Sequence, residues 1–174
     1  MPLPIAHGLV GASVVALGHS ESSPRHNWKM LLCGAALAIS PDFDFFLNWG
    51  LHLGRGWHRS FTHSIMFALL LTCLLIAAMG WPHLRDALLY GAAFLSHGLL
   101  DFATTKRSGG VELFWPFSAD RLKLGVIGLS EFPRGFHLLD MLKASLLELA
   151  IFTPLFLAVL LFRRYMPATV LHQA

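Results

Sequence analysis

The stretch SFTHSIMFALLLTCLLIAAMGWPHL, residues 60 to 84, contains no Asp, Glu, Lys or Arg. A helix needs roughly 20 apolar residues to cross the hydrocarbon core of a bilayer, and this stretch is longer than that. We therefore expect a transmembrane helix here, and the rest of the chain can be interpreted around it.

The whole chain has the composition of a membrane protein. Apolar residues make up 55% of the 174 residues and charged residues only 13%, whereas soluble domains contain about 25% charged residues. The length suits one domain, residues 1–174. Because the basic residues behind the net charge of +3 are scattered, we expect no nucleic-acid partner.

Five apolar segments divide the chain, and breaks rich in glycine, proline and charge separate them. The segments cover about residues 5–19, 28–47, 62–81, 85–102 and 142–162. Backbone groups inside a bilayer must be bonded within their own segment, which favours helices. The sequence thus predicts an all-α integral membrane bundle of about five transmembrane helices, with consecutive helices antiparallel.

Residues 103–138, between the fourth and fifth segments, contain too many glycines and prolines for a simple span. This stretch mixes Phe114, Trp115 and Phe117 with Lys and Arg side chains. Such a mixture suits a membrane surface, and loops of this length are often functional. We expect a partly structured surface loop and a membrane lipid as partner.

Seven ionisable side chains in or beside the apolar segments are expected to meet on one side of the membrane. Threading the five helices alternately through the bilayer places all seven on the side that holds the N-terminus, called here the N-terminal side. They are His7, Asp42, Asp44, His58, His63, His97 and Asp101. Ionisable groups at such depth are costly and usually functional.

These residue types suit a divalent metal. His97 and Asp101 are four residues apart, so one helix face presents both to a single cation. Asp42 and Asp44 follow Pro41 and can reach one cation or two neighbouring ones. Imidazole and carboxylate ligands favour zinc, with manganese and iron as alternatives, and one or two ions are expected.

An open metal site suggests hydrolysis. A metal-activated water can attack a phosphoester without a serine or cysteine nucleophile. We interpret Asp42, Asp44, Arg59 and His63 as the catalytic residues, with Arg59 as a phosphate clamp. The expected enzyme cleaves a phosphoester of a lipid or of another membrane-associated substrate.

Other interpretations remain open at this stage. His97 and Asp101 can instead form a hydrogen bond between helices, and Asp42 with Asp44 can be a hydrated helix end. Glu148 is either a partner that supports the site or a buried protonated acid. The same cluster would also suit a divalent metal transporter or sensor, or a non-catalytic membrane scaffold.

The motifs resemble those of the YdjM-type family of membrane-bound hydrolases, which are regarded as metal-dependent. His58 to Ser64 is similar to the family signature HR-G-x-THS, and Asp42 and Asp44 lie in its P-D-x-D element. Ser96 to Asp101 matches S-H-x-x-x-D, and Gly110 to Phe117 matches G-x-x-L-x-x-P-F. These pieces occur in order over the first two thirds of the chain, with the early His7 before them.

The resemblance implies a multi-pass inner-membrane protein whose metal ligands are the seven residues named above. One departure is Ser60, which stands where the signature has glycine. The order of ligands is also similar to the zinc-dependent phospholipase C and single-strand nuclease superfamily, an analogy that favours phosphoester cleavage.

Basic residues favour a cytoplasmic location for the N-terminal side, because cytoplasmic loops carry an excess of Lys and Arg. Eight fall on this side: Arg55, Arg59, Lys106, Arg107, Arg121, Lys123, Arg134 and Lys143. Five fall on the other: Arg25, Lys29, Arg85, Arg163 and Arg164.

Overall fold

Helices account for most of the chain in the computed structural model, which describes residues 2–18, 24–52, 55–106, 109–126 and 137–165. They are α1 (Pro4–Gly18), α2 (Pro24–Ile39), α3 (Phe45–Trp49), α4 (Ile65–Met79), α5 (Leu84–Thr104) and α6 (Leu138–Tyr165). Within the described residues, extended pairing is limited to one isolated bridge between Val111 and Leu122. The all-α prediction is confirmed.

Short 3₁₀ turns join several of the helices, at Ser40–Asp44, Arg55–Trp57, Phe61–His63 and Trp81–His83. The first of these divides the second apolar segment. Pro41 lies inside this turn and cannot donate a backbone hydrogen bond, so α2 ends at Ile39 and α3 begins at Phe45. Two carboxylates, Asp42 and Asp44, therefore leave a tight turn and not a regular helix.

Helix α1 lies at the centre of the bundle. It packs against α2, α5 and α6, and α5 in turn packs against α2 and α4. The carboxylate of Glu148, fully buried on α6, accepts hydrogen bonds from the backbone N–H groups of Leu3 and Ala6. It thereby satisfies N–H groups at the start of α1 that have no partner inside that helix. Of the two interpretations of Glu148, the structure favours a residue that supports the site, because Glu148 holds the start of α1 and α1 carries His7.

Two described stretches are long and apolar enough to cross a membrane, Trp28–Asn48 and Leu138–Tyr165. Helices α1 and α4 are apolar but have 15 residues each. The uncharged stretch quoted first thus forms a shorter helix than predicted. Residues 61–63 form a 3₁₀ turn before α4, and Gly80, at φ +81°, ends it.

Glycines allow the helices to approach closely, as small residues do in membrane bundles. A Cβ atom added at Gly11 would lie 2.3 Å from the Cβ of Ala38 and 2.5 Å from the carbonyl oxygen of Gly34. One added at Gly98 would lie 2.3 Å from the carbonyl oxygen of His63. These contacts set how near α1 and α5 come to the segments that carry Asp42 and His63.

We expect Gly11→Ala to destabilise the bundle by about 1–3 kcal/mol, because the added methyl group overpacks the contact between α1 and α2. The measurement is the midpoint of thermal unfolding in detergent. Gly56→Ala is the control, since a Cβ atom there meets nothing within 4 Å. Equal midpoints for the two variants would contradict the close approach.

Candidate metal centre

Four separate segments bring imidazole and carboxylate groups into one buried cluster. His7 comes from the first turn of α1, Asp42 from the turn after α2, and His63 from the turn before α4. His97 and Asp101 come from the last turns of α5. The side chains of His7, His63, His97 and Asp101 have no exposed surface, and that of Asp42 is 11% exposed.

The potential ligand atoms lie close to one another. The Nε2 atoms of His63 and His97 are 3.0 Å apart. Oδ1 of Asp42 is 3.4 Å from Nε2 of His97 and 3.7 Å from Nε2 of His63. Oδ2 of Asp101 is 3.9 Å from Nε2 of His63, and its Oδ1 is 3.4 Å from Nε2 of His7.

These separations suit a shared divalent cation. Ligands about 2.0–2.1 Å from a tetrahedral zinc ion lie about 3.3 Å from each other, near the middle of the observed range. Two groups have ligand atoms that are all within 4.8 Å of one another: His7, His97 and Asp101, and Asp42, His63 and His97. Both ring nitrogens of His7 and Oδ1 of Asp42 are buried and form no hydrogen bond with the described residues.

Hydrogen bonds fix which nitrogen each central histidine presents to the cluster. Nδ1 of His97 lies 2.7 Å from the carbonyl oxygen of Ala38, which can only accept, so Nδ1 carries a proton, and in the neutral ring Nε2 has a lone pair. The hydroxyl of Thr62 donates to Asp44 and lies 2.9 Å from Nδ1 of His63. Its oxygen can therefore accept the Nδ1 proton of His63, which leaves Nε2 of that ring bare as well.

Two bare ring nitrogens that face each other at 3.0 Å repel unless a positive charge lies between them. A histidine that binds a metal must be neutral, with the lone pair of the binding nitrogen free. Nε2 of His97 has a single lone pair and binds one ion only. The two ligand groups share His97, so both cannot be filled through this residue at the same time.

The site carries a net negative formal charge, which favours binding of a cation. The carboxylates of Asp42, Asp44 and Asp101 stand against one buried guanidinium, that of Arg59, and with neutral histidines the balance is −2. Burying unbalanced charge in an apolar bundle is costly. One divalent cation would neutralise this site.

Asp44 and His58 lie beside the cluster and outside both ligand groups. Oδ1 of Asp44 is 2.7 Å from Nδ1 of His58. Its Oδ2 accepts from the backbone N–H of Arg59 and the hydroxyl of Thr62, each at 3.0 Å. Asp44 thus holds the turn that carries His58 and His63. His58 is the more accessible of the two side chains, with 17% of it exposed.

Arg59, predicted to clamp a phosphate, lies against the cluster. Its backbone has a φ of +62°, and its Nε is 3.2 Å from Oδ2 of Asp101. The left-handed backbone turns this side chain inward, so that it is 5% exposed. The structure therefore brings all eight predicted site residues to one end of the bundle.

Sequence reasoning missed a second polar layer centred on Glu112. This buried carboxylate accepts from the hydroxyl of Ser60 at 2.5 Å and from Nε of Arg121 at 3.1 Å. Its backbone N–H donates to the carbonyl of Arg59. Ser60, which replaces the glycine of the signature, thus gains a partner. In the sequence, the only sign that Glu112 is buried and bonded is its place as a single carboxylate beside an aromatic stretch.

The predicted surface loop, residues 103–138, has a buried part and an exposed part. Its first two residues still belong to α5, and residues 110–113 are buried against the turn that contains Arg59. Phe114, Trp115 and Phe117 are exposed, as predicted for a membrane surface. Residues 107–108 and 127–136, with Arg107 and Arg134 of the charge count, lie outside the described residues.

We expect Glu112→Ala to loosen the turn that carries Arg59 and His63, because Ser60 and Arg121 lose their common acceptor. Loss of these bonds corresponds to about 1–3 kcal/mol, or roughly 5- to 150-fold faster amide hydrogen exchange in this turn. Asp120→Ala is the control, since Asp120 is exposed and bonds only with nearby Ser118 among the described contacts. Unchanged exchange in Glu112→Ala would contradict the role of Glu112.

Comparison with known proteins supports a membrane location for the chain. The family model described as YdjM inner membrane protein matches residues 1–170. Inner membrane protein YbcI of Escherichia coli (strain K12) is 35% identical over 128 residues, which cover 70% of this chain and 71% of that protein. No solved structure matches. The chain therefore belongs to the YdjM family of inner membrane proteins.

Proposed function

We propose that this protein is a membrane-bound, metal-dependent hydrolase that cleaves a phosphoester of a membrane lipid. The observation that carries the proposal is the pair of bare, buried Nε2 atoms of His63 and His97, 3.0 Å apart and flanked by two carboxylates. We further propose one ion, zinc first, because both ligand groups depend on the single free nitrogen of His97.

In the proposed topology, five helices cross the membrane and the site lies at the N-terminal side, facing the cytoplasm. Helices α1 and α4 are shorter than the hydrocarbon core of an average bilayer is thick. Local thinning of the bilayer can accommodate this mismatch. Exposed aromatic side chains at the site end, such as Phe43, Phe46 and Phe117, suit the interface between lipid and water.

Each group in the site has a task in phosphoester hydrolysis. A bound divalent cation supplies Lewis-acid activation of water and of the phosphate. The guanidinium of Arg59 stabilises charge on the phosphate oxygens, while Asp101 holds its orientation. As water loses a proton and forms the new P–O bond, the ester P–O bond breaks and the leaving alkoxide takes up a proton.

His58 is the residue best placed to move that proton. Its Nδ1 is oriented by Asp44 at 2.7 Å, the arrangement in which a carboxylate fixes the tautomer of a general acid or base. It is also partly exposed, so it can exchange protons with water. In this proposal Asp44 and His58 act in proton transfer. The sequence predicts both as metal ligands, and Asp44 as a catalytic residue as well.

A transport site is the less favoured alternative. A path across the membrane would need polar groups to continue through the apolar bundle away from the cluster. The hydroxyls of Ser13 and Thr72 instead donate to carbonyls one turn earlier in their own helices. Among the described residues of α1 and α4, these hydroxyls do not form a continuous row of polar ligands along which an ion could cross the membrane.

We expect the purified protein to contain about one zinc per chain, and His63→Ala to lose this metal together with phosphodiesterase activity on phospholipid. The matched control is His83→Ala, because His83 is exposed and lies at the opposite end of the bundle, before α5. Metal is measured by mass spectrometry and hydrolysis by released head group. Activity that survives in His63→Ala would contradict the proposal.

Removal of the metal should also lower stability. A ligand at 100 times its dissociation constant stabilises the folded state by about 2.7 kcal/mol. For a chain of this size, that corresponds to a fall in the unfolding midpoint of about 5–10 °C after chelation. Metal-free protein of unchanged stability would contradict the site, and metal uptake into proteoliposomes without hydrolysis would favour transport instead.

A further inference from the structure

An apolar groove of about 600 Å³ runs along the outside of the bundle, on the surface between α2 and α6. Its floor is α1, with Gly8 and Ala12. One wall is α2, from Trp28 to Ile39, and the other is α6, from Leu149 to Phe156. The lining consists of apolar side chains and glycine, and the volume lies within the range of small-molecule sites.

The walls of this groove belong to the two stretches that are long and apolar enough to cross a membrane. A groove between two membrane-crossing helices is filled from the bilayer, where acyl chains are the apolar molecules at hand. The small residues Gly8 and Ala35 keep it deep. A Cβ atom at Gly8 would already approach the side chain of Ile39 to 3.2 Å.

The length of the groove suits a single acyl chain. Trp28 and Ile39 are eleven residues apart on α2, which is about 16 Å along a helix. Half of the hydrocarbon core of a bilayer measures about 15 Å. A single extended chain from one leaflet therefore has the right length for the groove.

The two ends of the groove differ in chemistry. Ile39 lies three residues before Asp42, and Gly8 follows His7, so this end adjoins the metal centre. Asp42 is also the ligand of that cluster with some exposed surface. The other end, at Trp28 and Phe156, is apolar on every lining residue.

We propose that this groove holds one acyl chain of the phospholipid substrate, with its head-group end at Ile39 and its methyl end at Trp28. The chain would fix the depth of the phosphoester beside Asp42 and Arg59. The enzyme would thus select phosphoesters that carry a long acyl chain. This inference rests on the proposed hydrolysis for the reaction, whereas occupation of the groove can be tested without it.

Photo-cross-linking tests the occupant and its direction. The protein is placed in nanodiscs of phosphatidylethanolamine and phosphatidylglycerol that contain a trace of phosphatidylglycerol with a diazirine on one acyl chain. We expect a probe near the carboxyl end of the chain to label Ile5 or Ile39, and a probe at its methyl end to label Trp28 or Phe156. Labelled peptides are identified by mass spectrometry.

A substitution that fills the groove provides the matched comparison. We expect Ala35→Phe to reduce groove labelling about tenfold, the effect of losing contact with about two methylene groups. Ala36→Phe is the control, because Ala36 is the next residue, is exposed and does not line the groove. In hydrolysis assays, Ala35→Phe should lower kcat/KM about tenfold for long-chain phospholipid and leave that for a soluble nitrophenyl phosphodiester unchanged.

Several results would overturn the proposal. Labelling of exposed α4 residues such as Leu70 as strong as that of the groove would indicate annular lipid only. The reverse order of the two probes would place the chain in the opposite leaflet, and cross-links between two copies of the protein would make the groove a dimer interface. If the wild type hydrolyses no phosphoester, the proposed function fails, and the labelling pattern alone decides on the groove.

Discussion

The structure depends on the cost of burying carboxylates and bare imidazole nitrogens inside an apolar helical bundle. Asp42, His63, His97 and Asp101 are drawn from three regions distant in sequence, and they meet where water has little access. Such a group is unstable alone, because its lone pairs and negative charges face one another. A bound divalent cation, as we propose, would turn this repulsion into attraction and tie the segments together.

Much of the surrounding fold holds these groups in place. Gly11 and Gly98 let helices approach until the carbonyl of Ala38 reaches His97 and the backbone of His63 reaches α5. Glu148 binds the start of α1, and Glu112 fastens the buried part of the loop to the turn that carries Arg59. The apolar groove ends beside the same cluster, which links the bilayer to the chemistry.

Hydropathy and the order of helices were enough to predict the long helices and the end of the bundle where the polar residues lie. They could not predict the length of α4 or the turn at Pro41, which depend on local backbone geometry. The sequence also could not show which carboxylates are placed to bind a metal and which hold other residues of the site. Asp42 and Asp44 look alike in sequence, yet only the folded chain shows that Asp44 is occupied by Arg59, Thr62 and His58.

The most direct test of the central claim is X-ray absorption at the zinc edge of the purified protein loaded with one equivalent of zinc. The account predicts a first shell of nitrogen and oxygen atoms at about 2.0–2.1 Å with outer-shell scattering from at least two imidazoles. His97→Ala should lose part of that imidazole signal, whereas His83→Ala should retain it. A zinc ion without imidazole scattering, or a spectrum that His97→Ala leaves unchanged, would contradict the account.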